Sequence, residues 1–263
     1  TTINALFTAK DIAKQLTDSK AKMLITVAAL LPQAKEAAGL IGLADEDLVV
    51  LDGAGREQDG YPNAGDLLAS ETPAPQVDFA PSSHLAALPY SSGTTGNPKG
   101  VMLTHRNLVA NVAQIRPLHG MVADDVVLAV LPFFHIYGMT VLLNAALHAR
   151  ARLVIMPSFD LGDFLGNIAE HKCTIAFIAP PVAVALAKHP LVDSHDLSSL
   201  NVVMSGAAPL DADLGHAVAQ RLGLAAQQAQ IGAAMRLGQA HGAGPFAAGE
   251  LGQIQLLLLF GAM

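Results

Sequence analysis

Short apolar runs alternate along most of the chain with longer segments in which apolar residues recur every three or four positions. The short runs predict strands that are buried on both faces of a sheet, at 22–27, 47–53, 174–180 and at the start of 200–210. The longer segments predict helices at 8–18, 28–39, 160–172 and 211–223. Residues 126–156 predict a strand, an aromatic turn, a helix over about 138–148 and a second strand.

This rhythm of strand and helix is typical of a doubly wound α/β fold with mainly parallel sheets and flanking helices. Residues 54–83 are richer in Gly, Pro, Asp and Ser, with one short helix predicted at 63–70, and this composition indicates a boundary. We therefore expect residues 1–72 to form part of a first α/β subdomain and residues 84–223 to form a second α/β core.

Residues 90–105, YSSGTTGNPKGVMLTH, place a polar loop between the apolar runs 84–90 and 100–104, which predict strands. Glycines let the backbone approach a ligand closely, hydroxyls add hydrogen-bond donors, and Lys99 adds a positive charge. The glycines and hydroxyl residues are Ser91, Ser92, Gly93, Thr94, Thr95, Gly96 and Gly100. This composition predicts a polyphosphate site; the alternative is a hairpin loop without a ligand.

The spacing differs from that of the common phosphate loop, because Gly96 is followed by Asn97 and Pro98 instead of a lysine. The position of Lys99 therefore disfavours a phosphotransferase. The pattern resembles the signature loop of the adenylate-forming superfamily, which includes acyl-CoA synthetases, firefly luciferase and the adenylation domains of nonribosomal peptide synthetases. The resemblance implies that the chain is part of the large N-terminal domain of such an enzyme, with 84–223 as its adenylate-binding core.

Two further segments extend the resemblance. LPFFHIYG at 131–138 is similar to the aromatic turn of acyl- and aryl-CoA ligases, in which a histidine gates the passage to the acyl pocket and a tyrosine lines that pocket. MSGAAPL at 204–210 resembles a Gly-Ala turn that lies against the adenine and the acyl group. Each segment has a plain structural alternative, core packing for the first and an ordinary glycine turn for the second. Together they resemble most the 4-coumarate–CoA ligase branch.

The resemblance implies carboxylate activation with ATP, Mg²⁺ and coenzyme A. The acid attacks the α-phosphorus of ATP to give an acyl adenylate, and the CoA thiol then displaces AMP to give a thioester. The implied catalytic residues are Lys99, His135 and Thr94. The implied nucleotide-binding residues are Ser91, Ser92, Gly93, Thr94, Thr95, Gly96, Lys99, Gly206, Ala207 and Ala208. The implied acid-binding residues are His135, Tyr137, Gly206 and Ala207. An aryl, a medium-chain or a longer fatty acid fits these residues, and no metal ligand is assigned.

The resemblance covers residues 8–223, the middle of a longer enzyme, and stops there. Family members continue with a Gln-Gly-Tyr-Gly-Met-Thr-Glu segment that binds adenine, phosphate and Mg²⁺; here only Gln228 matches it, and no carboxylate lies between Asp213 and Glu250. Residues 224–263 form a divergent tail. The alternative to a ligase is therefore a non-catalytic nucleotide-binding or interaction module derived from the same fold.

Composition limits the classes of partner that we expect for this protein. Hydrophobic residues make up 52% of the 263 residues and charged residues 14%, which predicts exposed apolar surface and self-association. The net charge of −7 gives no basic patch for nucleic acid. No apolar run is long enough for a membrane span, the ten histidines lack zinc-enzyme spacing, and the single Cys173 fits a buried position in a cytoplasmic protein.

Overall fold

The computed structural model describes residues 1–51, 60–69, 72–91 and 98–224. Contacts divide the chain into two compact units, Thr1–Tyr90 with Lys99–Arg106, and Ser91–Pro98 with Asn107–Met263. The boundaries predicted from composition concern the subdomains of the family and stay a prediction. The divergent tail lies outside the described residues, apart from its first residue, Leu224.

The first unit begins with a helix, strand, helix, strand order, as predicted. Its elements are α1 (Ala9–Ser19), β1 (Leu24–Thr26), α2 (Leu31–Ile41), β2 (Leu48–Val50) and the short α3 (Ala64–Leu68). β1 pairs with β2 in parallel. Buried residues of both long helices, among them Ile12, Leu16 and Leu31, form one cluster with Leu48 and Val50. Single-turn 3₁₀-helices precede α2 (Ala28–Leu30) and β2 (Asp45–Asp47).

Helix ends in this unit follow from capping. Thr8 and Asp11 form a capping box at the start of α1, in which the Thr8 side chain accepts a hydrogen bond from the Asp11 N–H. The second helix ends at Ile41 and not at the predicted Gly39, because Gly42 is the residue that adopts the left-handed conformation, with φ 68°. Gly39 instead stays inside the helix.

Four short strands surround the polar loop. β3 (Leu85–Ala87) pairs antiparallel with β6 (Leu103–Thr104), and β4 (Tyr90–Ser91) pairs with β5 (Lys99–Gly100). Each of the two predicted flanking strands is thus split into two shorter ones. The central loop residues 92–97 lie outside the described part of the chain.

The remaining elements build a four-stranded sheet with helices on both faces. They are α4 (His105–His119), β7 (Val126–Ala129), a π-helix (Tyr137–Asn144), α5 (Ala145–Ala149), β8 (Arg152–Ile155), α6 (Leu161–His171), β9 (Ile175–Ile178), α7 (Pro180–Lys188), a 3₁₀-helix (Pro190–Ser194), β10 (Val202–Ser205) and α8 (Ala212–Arg221). The strand order is β10-β9-β7-β8, and all three pairings are parallel.

Alternate residues of the central strands face two separate layers of helices. Ala176 and Ile178 of β9 pack with residues of α6, α7 and α8, while Ile175 and Phe177 pack with residues of α4, the π-helix and α5. All four residues of β9 are buried. This confirms the predicted doubly wound arrangement, and it explains the unbroken apolar run in the sequence. Cys173 is fully buried in the first of these layers, as its sequence context predicted.

The helix predicted over 138–148 differs from the structure in kind. Tyr137–Asn144 form a π-helix, and only Ala145–Ala149 continue as an α-helix. Gly138 packs so closely that a Cβ on it would lie 2.2 Å from the carbonyl oxygen of Pro132. The wider turn of the π-helix was not visible in the apolar spacing, because eight residues are too few to distinguish its period from that of an α-helix. Among the described residues, no helix is both long and apolar enough to cross a membrane.

Candidate functional site

The candidate site lies at the carboxyl ends of the parallel strands. β8 is the neighbour of β7 on one side and β9 is its neighbour on the other side. The order in which the strands are added therefore changes direction between β7 and β9. Ligands of open α/β sheets bind outside the carboxyl ends of the strands at such a reversal. The aromatic turn follows β7 and the Gly-Ala turn follows β10, which brings both predicted segments to this edge.

Tyr137 and Gly206 are in direct contact. The Tyr137 hydroxyl donates a hydrogen bond to the carbonyl oxygen of Met204 at 3.3 Å, and the ring meets Phe177 edge to face at 6.4 Å between centroids. A Cβ on Gly206 would lie 2.7 Å from Cζ of Tyr137 and 2.9 Å from its hydroxyl oxygen. The small residue that was predicted to make room for a ligand therefore makes room for the tyrosine ring in this conformation.

Burial keeps the Tyr137 hydroxyl protonated. Desolvation raises its pKa well above the ordinary value for tyrosine. The hydroxyl is consequently a hydrogen-bond donor at every physiological pH, and its present acceptor is a backbone carbonyl. An acyl ligand that displaced the ring would meet a donor and an aromatic face on the same side chain.

His135 stands at the entrance to the π-helix. The Tyr137 N–H donates to His135 Nδ1 at 3.2 Å, so the neutral ring carries its hydrogen on Nε2. The residue is exposed, yet partial desolvation of the ring lowers its pKa. The neutral form is thus favoured at pH 7, and Nε2 can donate a hydrogen bond to a ligand in the passage that the sequence predicted.

The Gly-Ala turn is set by the strand before it. Gly206 N–H donates to the carbonyl oxygen of Ile178 at 3.1 Å, which extends the pairing of β10 with β9 by one residue. Ala207 then adopts φ 69°, a left-handed conformation that is uncommon for a residue with a side chain. Ala208 is exposed. Beside this turn, Ser205 Oγ is buried and has no hydrogen-bond partner among the described residues.

The polyphosphate side of the predicted site is described only at its ends. Lys99 is exposed on β5, and Ser91 is half-buried on β4. The remaining predicted loop residues, Ser92, Gly93, Thr94, Thr95 and Gly96, lie outside the described residues. Their assignment to phosphate stays a prediction.

Two residues, one in each unit, were not singled out from the sequence. Gly138 is required by its contact with Pro132, and Tyr90 hydrogen-bonds to Asp18 on α1. Gly138 follows Tyr137 directly, so a glycine inside a predicted helix was the available signal. For Tyr90 the only signal was its place at the edge of the loop.

No metal centre is assigned. Within the described ranges, no group of three or more His, Cys, Asp or Glu side chains could hold an ion. Mg²⁺ binds carboxylate oxygens together with substrate phosphates. The described residues offer no such cluster of carboxylates.

Comparisons with known proteins agree with the fold and the motifs. The AMP-binding enzyme family matches residues 1–232. The chain is 44% identical over 225 residues to 4-coumarate–CoA ligase 1 of Solanum tuberosum, in a match that covers 83% of this chain and 40% of that protein.

Comparisons with solved structures support the same fold and family. A natural red-emitting luciferase from Phrixothrix hirtus superposes with a TM-score of 0.77 at 28% identity, covering 85% of this chain and 44% of the luciferase. A long-chain-fatty-acid–CoA ligase from Archaeoglobus fulgidus gives a TM-score of 0.73 at 26% identity, covering 87% of this chain and 45% of that one. The chain spans less than half the length of these relatives, and it belongs to the AMP-binding enzyme family.

Proposed function

We propose that the protein to which this chain belongs is an AMP-forming acid–CoA ligase. It would join an aryl or acyl carboxylate to ATP, release pyrophosphate, and transfer the acyl group from the adenylate to the thiol of coenzyme A. The observation that carries the proposal is the contact between Tyr137 and Gly206, which unites two ligase-like motifs at the ligand edge of the sheet. The names of two relatives, 4-coumarate–CoA ligase and long-chain-fatty-acid–CoA ligase, support the same reaction.

In this reaction the protein mainly has to position the substrates and stabilise negative charge. Negative charge spreads over the β and γ phosphates as pyrophosphate departs, and fixed donors and cations stabilise it. We assign this role to Lys99 and to the hydroxyls and amides of residues 91–96, with Thr94 among them. ATP would bring its own Mg²⁺, for which no ligand is assigned.

The acyl side depends on an aromatic gate. We propose that the Tyr137 ring moves off Gly206 when the acid binds, and that His135 donates a hydrogen bond from Nε2 at the passage between the nucleotide and the acid. The backbone of Gly206, Ala207 and Ala208 would then lie against the adenylate. Once the Tyr137 ring has moved off Gly206, its aromatic face would form one wall of the acid site. Such a wall suits a flat aryl acid, and a fatty acid is the second candidate.

The test is carboxylate-dependent exchange of labelled pyrophosphate into ATP, with a panel of cinnamic, benzoic and fatty acids. We expect exchange with one class of acid, and a loss of at least about tenfold in Lys99→Ala, since one charged contact to a transition state contributes about 2–4 kcal/mol. Lys188→Ala removes an exposed lysine from the end of α7 and serves as the matched control. Equal exchange in Lys99→Ala and Lys188→Ala would contradict the role of Lys99.

One observation favours a different function, a non-catalytic nucleotide-binding or interaction module. The absence of any Asp or Glu between Asp213 and Glu250 removes the carboxylate that the family uses with Mg²⁺. ATP binding without exchange for any acid, under conditions in which a full-length relative exchanges, would establish the module. Self-association through exposed apolar side chains and a cytoplasmic location belong to both proposals, and the single buried Cys173 is consistent with the latter.

A further inference from the structure

The strand that carries Lys99 is too short to hold itself in place. β4 and β5 contribute two residues each to a two-stranded sheet of their own. Isolated two-stranded pairs are marginally stable even when they are longer. The orientation of Lys99 therefore depends on contacts other than the pairing of β4 with β5.

The ring of Tyr90 connects β4 to β5. It belongs to β4, and its ring lies so close to β5 that a Cβ on Gly100 would be 3.2 Å from Tyr90 Cζ. Next to this contact, the Val101 N–H donates to the carbonyl oxygen of Pro89 at 2.8 Å. The residue directly after Lys99 is thus packed against the Tyr90 ring, and the residue after that is hydrogen-bonded to the residue before Tyr90.

The hydroxyl of Tyr90 joins this arrangement to α1. It donates a hydrogen bond to Asp18 Oδ2 in the last turn of that helix. Desolvation, with help from the Asp18 carboxylate, raises the pKa of Tyr90 to about 12, so the hydroxyl keeps the proton that it donates. The other face of α1 is fixed by Ile12 and Leu16, which are 5% and 2% exposed.

Asp18 is in a place that helix energetics disfavour. A helix C-terminus carries partial negative charge, so an acidic side chain there is repelled, and the last turn of α1 has no basic residue to offset it. The bond to Tyr90 gives this carboxylate a hydrogen-bond donor from outside the helix.

We propose that Tyr90, held by Asp18, is a positioning residue that orients Lys99 for the phosphates of ATP. The proposal rests on the proposed function, because it takes Lys99 to be the phosphate contact. Tyr90 touches no substrate in this scheme; it acts through Gly100 and the backbone of β5. The hydrogen bond from Tyr90 to Asp18 and the ring contact with Gly100 are together called the Tyr90 anchor.

The test compares Mg-ATP affinity by calorimetry in Tyr90→Phe and in Tyr61→Phe, which makes the same chemical change elsewhere in the first unit. We expect Tyr90→Phe to weaken ATP binding by about three- to tenfold, the value of one hydrogen bond, and Tyr61→Phe to leave it unchanged. Asp18→Ala should match Tyr90→Phe, and the double variant should lose no more than either single one. Asp18→Asn, which keeps an acceptor oxygen, should restore affinity to within about twofold of wild type.

Amide hydrogen exchange at Gly100 and Val101 gives a second readout that needs no nucleotide. We expect faster exchange at both amides in Tyr90→Phe, with little change in the urea midpoint for unfolding. Unchanged exchange, or additive losses in the double variant, would overturn the Tyr90 anchor. If the wild-type chain binds no ATP, the proposed function fails, and the exchange measurement alone decides whether the anchor orders β5.

Discussion

The acyl side and the phosphate side of the candidate site are built in different ways. Tyr137 and Gly206 follow strands of a four-stranded parallel sheet with helices on both faces, and their contact is set by the backbone of β10. Lys99 lies on a two-residue strand whose position depends on side chains, above all on Tyr90 and Asp18. We infer that the residues proposed for the acid are positioned by the core of the second unit, whereas Lys99, proposed for the phosphates, depends on a few local interactions in the first unit.

Gly138→Ala should have the largest effect and would break the acyl side. The new Cβ would lie 2.2 Å from the Pro132 carbonyl oxygen, a backbone atom that cannot move aside alone. We expect a loss of about 3 kcal/mol in the free energy of unfolding, the upper end for overpacking. Urea denaturation measures it.

Gly166→Ala is the matched control for this change, because Gly166 lies in α6 with open space at its Cβ position. It should be neutral or stabilise the protein by up to about 1 kcal/mol. A Gly138→Ala protein as stable as Gly166→Ala would show that the turn before the π-helix is adaptable.

Gly206→Ala should have a smaller effect on stability and a selective effect on the site. Its Cβ would lie 2.7 Å from the Tyr137 ring, which can rotate away, so we expect a loss of about 1–2 kcal/mol in the free energy of unfolding. The ring would also lose its bond to Met204 and stand open. Exchange assays should then show a raised KM for the acid with an unchanged KM for ATP, and an equal rise in both would contradict the separation of the two sides.

The smallest effect concerns pH and the phosphate side. Desolvation and the bond to Asp18 raise the pKa of Tyr90 from 10.0 to about 12 in the folded protein, so the fold favours the neutral hydroxyl over the phenolate. The stability of the wild type that depends on the neutral form is fully present below pH 10 and is lost as the pH rises from 10 to about 12. Tyr90→Phe lacks the group, so its urea midpoint should fall less than that of the wild type over this interval. Parallel curves for the two proteins would argue against the hydrogen bond to Asp18.

Sequence patterns predicted the elements better than their contacts. The strand at 174–180 was visible because all four residues of β9 are buried, which leaves an unbroken apolar run. The end of α2 was misplaced by a few residues, since Gly39 and Gly42 look alike in sequence and only their backbone conformations differ. The π-helix was missed because apolar spacing does not distinguish it from an α-helix over eight residues.

The candidate site residues were singled out by their motifs, and their assignment stays a prediction, but their geometry was not predicted. His135, Tyr137 and Gly206 were each singled out, yet nothing in the sequence indicated that the Tyr137 ring covers Gly206. Such a contact depends on the register of β7, β9 and β10, which is a property of the whole sheet. The Tyr90 anchor was missed for a similar reason, since it joins β4 to the end of α1, and Tyr90 and Asp18 are 72 positions apart.

The hydrogen bond from Tyr137 to Met204 also bears on the order of folding. It closes a separation of 67 positions, and a contact of that range forms only after the intervening segments have collapsed, because closing such a loop costs entropy before it gains anything. During synthesis from the N-terminus, β7, β8 and β9 emerge before β10, so the contact between Tyr137 and Gly206 is absent until β10 docks. A nascent chain that ends before Met204 would have β7, β8 and β9 in place without the hydrogen bond that holds the Tyr137 ring.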